Sequence, residues 1–291
     1  MNIIIAFILS IIATFAHAEL PSVLSVYIKG ATGSQYTICR KLFEEYDLKY
    51  NTTTVMRVIP GAGGLLATKQ FINSTEPLPL MCGGISEFSF NTREYPVNKE
   101  YVAQFKTVSI LASGPYFFTT RADSPYSTVW MLKQSGKHIF IGSQSPTLAA
   151  AAKVVFGEKN VTYVNYKSPN DAISSLLDGS VDVYVSGGAL TALTESGKMK
   201  DIGRTLGGFS KISLDKEYPD LVTLSLITSI HSLKTLSDSD TIELNKRIEF
   251  IMSSPAMKPA LEQFNNLHTP NTVAEATRIV KTITSFVDNL K

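Results

Sequence analysis

The stretch TVSILASGPYFFTTR, Thr107–Arg121, decides the fold. It contains two β-forming runs broken by Ser113-Gly114-Pro115. Proline has no amide proton to give a sheet ladder, and glycine and proline together punctuate regular structure. The chain is therefore expected to leave one sheet at this point and enter another.

The segments on both sides follow an α/β rhythm, in which short apolar runs alternate with helical patterns. Upstream, strands are expected at Leu24–Ile28, Thr54–Ile59 and Leu78–Cys82, with helices at Tyr36–Tyr46 and Leu65–Asn73. Downstream, a second series begins with a helix at Thr128–Gln134 and a strand at His138–Gly142. It continues through a helix at Leu148–Phe156, a strand at Val161–Tyr166 and a helix at Pro169–Leu177, where proline is harmless in the first turn. A strand at Val181–Val185, a helix at Ala189–Ser196 and a short strand at Asp201–Arg204 complete the series. After LVTLSLITSI, residues 221–230, the chain reads as helical from about Asp238 to Leu290. Those helices have too little sheet beside them to form a third domain and are expected to return to cover the first lobe. The plan is two lobes joined by two crossovers: residues 19–113 plus 225–291, and residues 114–224. Such a molecule closes around a ligand at its hinge.

The N-terminus MNIIIAFILSIIATFAHA reads as a signal peptide. An apolar core, Ile3–Ala13, precedes Ala16-His17-Ala18, which suits signal peptidase, and the run is too short for a permanent membrane anchor. Cleavage is expected near Ala18, with release into the periplasm and 273 of the 291 residues remaining. With 27 basic and 25 acidic residues the chain lacks the electrostatic footprint of a nucleic-acid binder. Cys39 and Cys82 are the only cysteines. An oxidising compartment permits a disulfide between them, and two buried thiols fit their apolar settings equally well. Asn51, Asn73 and Asn160 are N-glycosylation acceptors in a host that glycosylates.

Motifs for catalysis are absent. His138, His231 and His268 have no metal-ligand partner at helical spacing, IGSQSP lacks the second glycine of a nucleophile elbow, and no Walker loop occurs. VIPGAGGLLATKQF, Val58–Phe71, imitates a dinucleotide turn but carries Leu66 where the third glycine belongs, and no acidic residue follows the next strand. No enzyme activity, cofactor or metal is expected. Two loops carry a different chemistry. KGATGSQYT, Lys29–Thr37, and GSQSPT, Gly142–Thr147, each join a strand to a helix, one per lobe, and both are free of acid. Unpaired amides at a helix N-terminus carry partial positive charge, so two facing termini make a carboxylate site without an arginine.

Four segments in order resemble the Bug-type substrate-binding proteins of tripartite tricarboxylate transporters: PGAGGLLAT, TVSILASGPYFFTTRADSPYSTVWML, IGSQSPTLAAAAKVVFG, and VNYKSPNDAISSLLDGSVDVYV leading to ESGKMKDIGRT. The resemblance spans nearly the whole mature chain. It implies a monomeric, two-lobed Venus-flytrap fold of the periplasmic binding-protein type that delivers a small organic carboxylate to the permease subunits of such a transporter. By the same resemblance the ligand is held by Thr32, Gly33, Ser34, Gln35 and Tyr36 of the first loop and by Ser143, Gln144, Ser145 and Thr147 of the second, with Tyr166 and Lys167 beside the cleft. Two departures stand out. Tyr36 occupies the position where the family carries Asp, which puts an aromatic face at the side of the site and favours an acid with an apolar or aromatic body. The second loop is one residue shorter, with Gln144 and Pro146 in place of glycines. Alternatives at this level are a receptor presenting its ligand to a membrane sensor kinase, and an enzyme on the same scaffold.

Overall fold

Alternation along the first strand sets the layers: Leu24, Val26 and Ile28 enter one buried cluster, whereas Tyr27 enters another on the opposite face. A central sheet covered on both sides follows from that pattern. The computed structural model describes residues 20–84, 89, 95–166, 168–188, 190–206, 211–219, 221 and 225–289. The expected signal peptide with its cleavage near Ala18, and Lys167, lie outside the described residues.

The strands are β1 (Val23–Ile28), β2 (Thr53–Val58), β3 (Pro79–Gly84), β4 (Phe105–Gly114), β5 (Phe117–Arg121), β6 (Ile139–Ser143), β7 (Val161–Asn165), β8 (Val183–Ser186), β9 (Met199–Arg204) and β10 (Leu226–Leu233). The helices are α1 (Gly33–Tyr50), α2 (Leu65–Ile72), α3 (Asn98–Val102), α4 (Val129–Gln134), α5 (Pro146–Phe156), α6 (Pro169–Leu177), α7 (Thr191–Glu195), α8 (Asp238–Met252), α9 (Lys258–Glu262) and α10 (Val273–Asn289). They build two five-stranded sheets, ordered β2-β1-β3-β10-β4 and β7-β6-β8-β5-β9. The two orders are the same pattern. In each, the first three strands run parallel, and the fourth, which arrives from the other sheet, runs antiparallel to its neighbours. The edge strand in each case leaves for the other sheet: β4 continues through Pro115-Tyr116 into β5, and β9 leads back to β10. The fold is the two-lobed α/β Venus flytrap.

Two helices depart from the sequence expectation at their ends. Helix α1 starts at Gly33 and runs to Tyr50, stopped by Asn51 in the left-handed region (φ 51°), a conformation that asparagine tolerates. Helix α5 starts at Pro146, capped by Ser145, whose Oγ accepts the Leu148 amide. Residues read as loops are thus first helical turns.

One face of the first sheet packs Leu24, Val26, Ile28 and Leu80 against Ile38, Leu42, Phe43 and Tyr46 of α1 and Leu244, Ile248 and Ile251 of α8. Cys39 of α1 and Cys82 of β3 are joined by a disulfide across this core, with Cα atoms 6.6 Å apart. The bond closes a loop of 43 residues, which stabilises the fold by about 4 kcal/mol on a chain-entropy estimate. The C-terminal segment packs on the same lobe. The amide of Asn271 pairs with both backbone groups of Ile110 on the outer side of β4, and Asn245 Nδ2 donates to the Val108 carbonyl. Glu249 accepts from Ser109 Oγ and from the Asn271 backbone amide. An edge strand that would otherwise offer unpaired groups is covered in this way. Helix α10 then lies along β4, and its Ala276, Ile283 and Val287 join the cluster containing Tyr116, Phe118 and Ile141 of the second sheet.

His231 sits in β10 at 1% exposure, with Nε2 2.8 Å from Ser229 Oγ. Burial pushes its pKa down to about 3. An unfolded chain protonates histidine near pH 6.5, so its contribution is complete above that pH and is lost as pH falls toward about 3. The loss is up to about 1.4 kcal/mol per pH unit. We expect His231→Gln to flatten the decline of the urea midpoint between about pH 6 and pH 4 relative to the parent; equal slopes would contradict this role.

Candidate functional site

In a parallel α/β unit the helix that follows a strand begins at the strand's carboxyl end. β1 and β6 hold the same position in their sheets, so α1 and α5 bring equivalent N-termini to one place. Between them lies a cavity of about 480 Å³. Thr32, Gly33, Ser34 and Gln35 line it from the first lobe, and Gln144, Ser145 and Thr147 from the second.

The local geometry leaves donors unpaired. Thr32 takes the N-cap position of α1 in extended conformation, but its side chain makes no capping hydrogen bond. Gly33 follows at φ +85°, a conformation that costs glycine nothing, so the chain can turn directly into the helix. Neither α1 nor α5 has an acidic residue in its first turn. Thr147 is 2% exposed, and its Oγ1 has no hydrogen-bond partner although it borders the cavity. Lys29 stands at the rim, and no Asp or Glu is among the described lining residues. Tyr184 donates its hydroxyl to Gln144 Oε1 at 3.0 Å, which leaves the Gln144 amide nitrogen as a donor. Burial raises the Tyr184 pKa to about 12, so the phenol keeps its proton. The Gln35 amide lies directly on the Gly84 backbone, where any Cβ would overlap it. Such an arrangement suits an anion, because each charged oxygen can be met by oriented donors without an opposing carboxylate.

Four residues expected at the site are placed differently or not described. Tyr36 does not line the cavity; its ring packs half-buried against the first core. With α1 starting at Gly33, residue 36 is already inside the helix. Ser143 is 1% exposed at the end of β6, and its carbonyl accepts the Tyr166 amide at 2.7 Å. The Tyr166 ring rests on Gly142 and packs with Ala172, Leu176 and Val181. These two hold the second loop from behind. Lys167 is outside the described residues.

Other lining residues escaped the sequence reading. Ser186 ends β8, Gly187 and Gly188 follow it and precede α7, and Pro169 opens α6. The signal was present: VYVSGGALT, Val183–Thr191, repeats the strand–small residue–helix pattern of the other two loops. Leu226, Ile227 and Thr228 come from β10, where a hinge strand returning to the first sheet crosses the cavity. Leu226 lies against Gly187, so that a Cβ on Gly187 would collide with it. Phe264 arrives from the segment after α9, and no local pattern marks it. The histidines are elsewhere. His138 is exposed beside Thr162, His231 is in the core, and His268 donates to the Leu111 carbonyl and stands 3.3 Å from Glu249. Among the described residues no cluster of three His, Cys, Asp or Glu side chains could hold a metal.

No protein-family model and no curated protein matches the sequence. Solved structures do match the fold. A TctC solute-binding protein from Polaromonas, without ligand, has a TM-score of 0.70 at 20% identity, covering 92% of this chain and 98% of that one. The MatC protein of Rhodopseudomonas palustris with bound malate has a TM-score of 0.70 at 14% identity, over 91% of this chain and 97% of that one. Another R. palustris protein, with adipate, has a TM-score of 0.72 at 16% identity, over 91% and 94%. The chain therefore has the fold of these solute-binding proteins over nearly all of its length.

A buried hydroxyl without a partner costs about 1–3 kcal/mol, and a ligand oxygen would remove that cost. Thr147→Val is expected to raise the unfolding midpoint of the unliganded protein while weakening anion binding. A lowered midpoint, or unchanged affinity, would show that the hydroxyl is not held for a ligand.

Proposed function

We propose that the protein is an extracytoplasmic receptor that captures a small organic carboxylate between its two lobes and delivers it to a membrane permease of the tripartite tricarboxylate type. The observation that carries this reading is the pair of acid-free helix N-termini, α1 and α5, bordering one cavity together with the unpartnered Thr147 hydroxyl. The likeness to solute-binding proteins solved with malate and adipate supports it.

The units that move are the lobe of residues 19–113 plus 225–291 and the lobe of residues 114–224, turning about the two crossovers. A carboxylate held by the amides of residues 33–35 reaches Thr147 and Gln144 only when the lobes approach. Those second contacts exist in the closed form alone, so ligand shifts the population toward it. The closed shape is what a permease would recognise. Residues 1–18 direct export and are removed near Ala18, the receptor works as a monomer without a cofactor, and it performs no turnover.

Ser34→Asp separates this account from ordinary helix capping. An acid in the first turn of α1 complements the helix dipole and should keep or raise stability by about 0.3–1 kcal/mol. The same charge repels a bound carboxylate. In a thermal-shift screen the parent protein is expected to melt higher with carboxylates than with neutral sugars, because a ligand of the folded state raises the midpoint. Ser34→Asp should lose that shift while retaining its own midpoint. Shifts with sugars and none with acids would refute the reading.

A further inference from the structure

The cavity lining is not polar throughout. Leu190 enters it from the start of α7, Leu226 from the hinge end of β10, and Phe264 from the segment after α9. All three are only partly buried. They come from three separate parts of the chain and meet at one place. Leu148 and Ile227, at 3% and 5% exposure, are further apolar side chains of the lining. The end of the Leu226 side chain lies over the bare backbone of Gly187, in the space a Cβ would take.

Resting on the carboxylate reading above, we propose that the ligand is an amphipathic acid. Its carboxylate meets the N-termini of α1 and α5, and its aliphatic or aromatic body covers Leu190, Leu226 and Phe264. This assigns to those three residues the selectivity that the sequence had suggested for Tyr36, whose ring faces the first core. A polyhydroxylated or tricarboxylic ligand would place polar groups against this wall without hydrogen-bond partners, which disfavours it. An alkyl body instead takes three half-exposed side chains out of water on closure. Because the three come from different elements, and Leu226 and Leu190 belong to opposite sheets' connections, the body would also add apolar contact between the lobes.

Titration calorimetry of the full mature chain with acetate, butyrate, hexanoate and octanoate, and with malate and citrate, tests the assignment. Affinity is expected to rise about fourfold per buried methylene through hexanoate. The heat-capacity change should become more negative along the series. Malate and citrate should bind more weakly than hexanoate. Leu226→Ser and, separately, Leu190→Ser should flatten the chain-length gradient, read within each variant as the ratio of hexanoate to acetate affinity. A flat series in the parent, or malate or citrate binding tighter than hexanoate, overturns the amphipathic assignment and leaves the carboxylate reading standing. Absence of binding by every acid removes both.

Discussion

A helix that follows a parallel strand must start at that strand's carboxyl end, and its first amides have no partner within the helix. The architecture depends on this constraint. Each sheet is built from parallel strands on one side and receives its fourth strand from the other sheet. That exchange brings the carboxyl ends of β1 and β6 to one cavity. Unsatisfied donors that an isolated domain would leave to water or to capping side chains are concentrated there. The chain does not neutralise them with acid: the first turns of α1 and α5 have none, Thr32 makes no cap, and only the Leu148 amide of α5 is met by the Ser145 hydroxyl.

The rest of the molecule keeps that arrangement in register while leaving it a hinge. The disulfide Cys39–Cys82 fixes α1 to the sheet just behind its N-terminal turn. On the far edge, Asn245, Glu249 and Asn271 form a hydrogen-bonded strap over β4, the strand that leaves for the second lobe. Asn245, Glu249 and Asn271 all bond to groups of β4 or of the strap itself, so the strap positions the crossover. Helix α10 continues past the strap and adds its apolar residues to the core of the second sheet. The hinge therefore has a packed back and an open front.

Much of this was legible in the sequence. The Ser-Gly-Pro break, the alternation in Leu24–Ile28 and the helical periodicities located both series of elements because local pattern decides local structure. The two small, acid-free loops that line the cavity stood out for the same reason, by their matched placement between strand and helix in both series. The starts of α1 and α5 were read late, since Gly33 and Pro146 belong to turn and helix vocabularies alike. The pairing of Cys39 with Cys82 could not be chosen over free thiols, because a helix-to-strand distance is a tertiary quantity. Tyr36 was given a side-wall role because it stands where the family carries Asp, and its ring instead packs half-buried against the first core. Leu226 and Phe264 reach the cavity only through the return of the chain to the first lobe, and no window of sequence contains that information.

The central claim is that one carboxylate is gripped from both lobes by the first turns of α1 and α5. A crystal structure of the protein with the acid that gives the largest thermal shift tests it most directly. The account predicts carboxylate oxygens within hydrogen-bond distance of the amides of residues 33–35 on one side and of Thr147 Oγ1 on the other, in a molecule more closed than the unliganded form. An acid bound through other groups, or held by one lobe alone with the cleft still open, would contradict it.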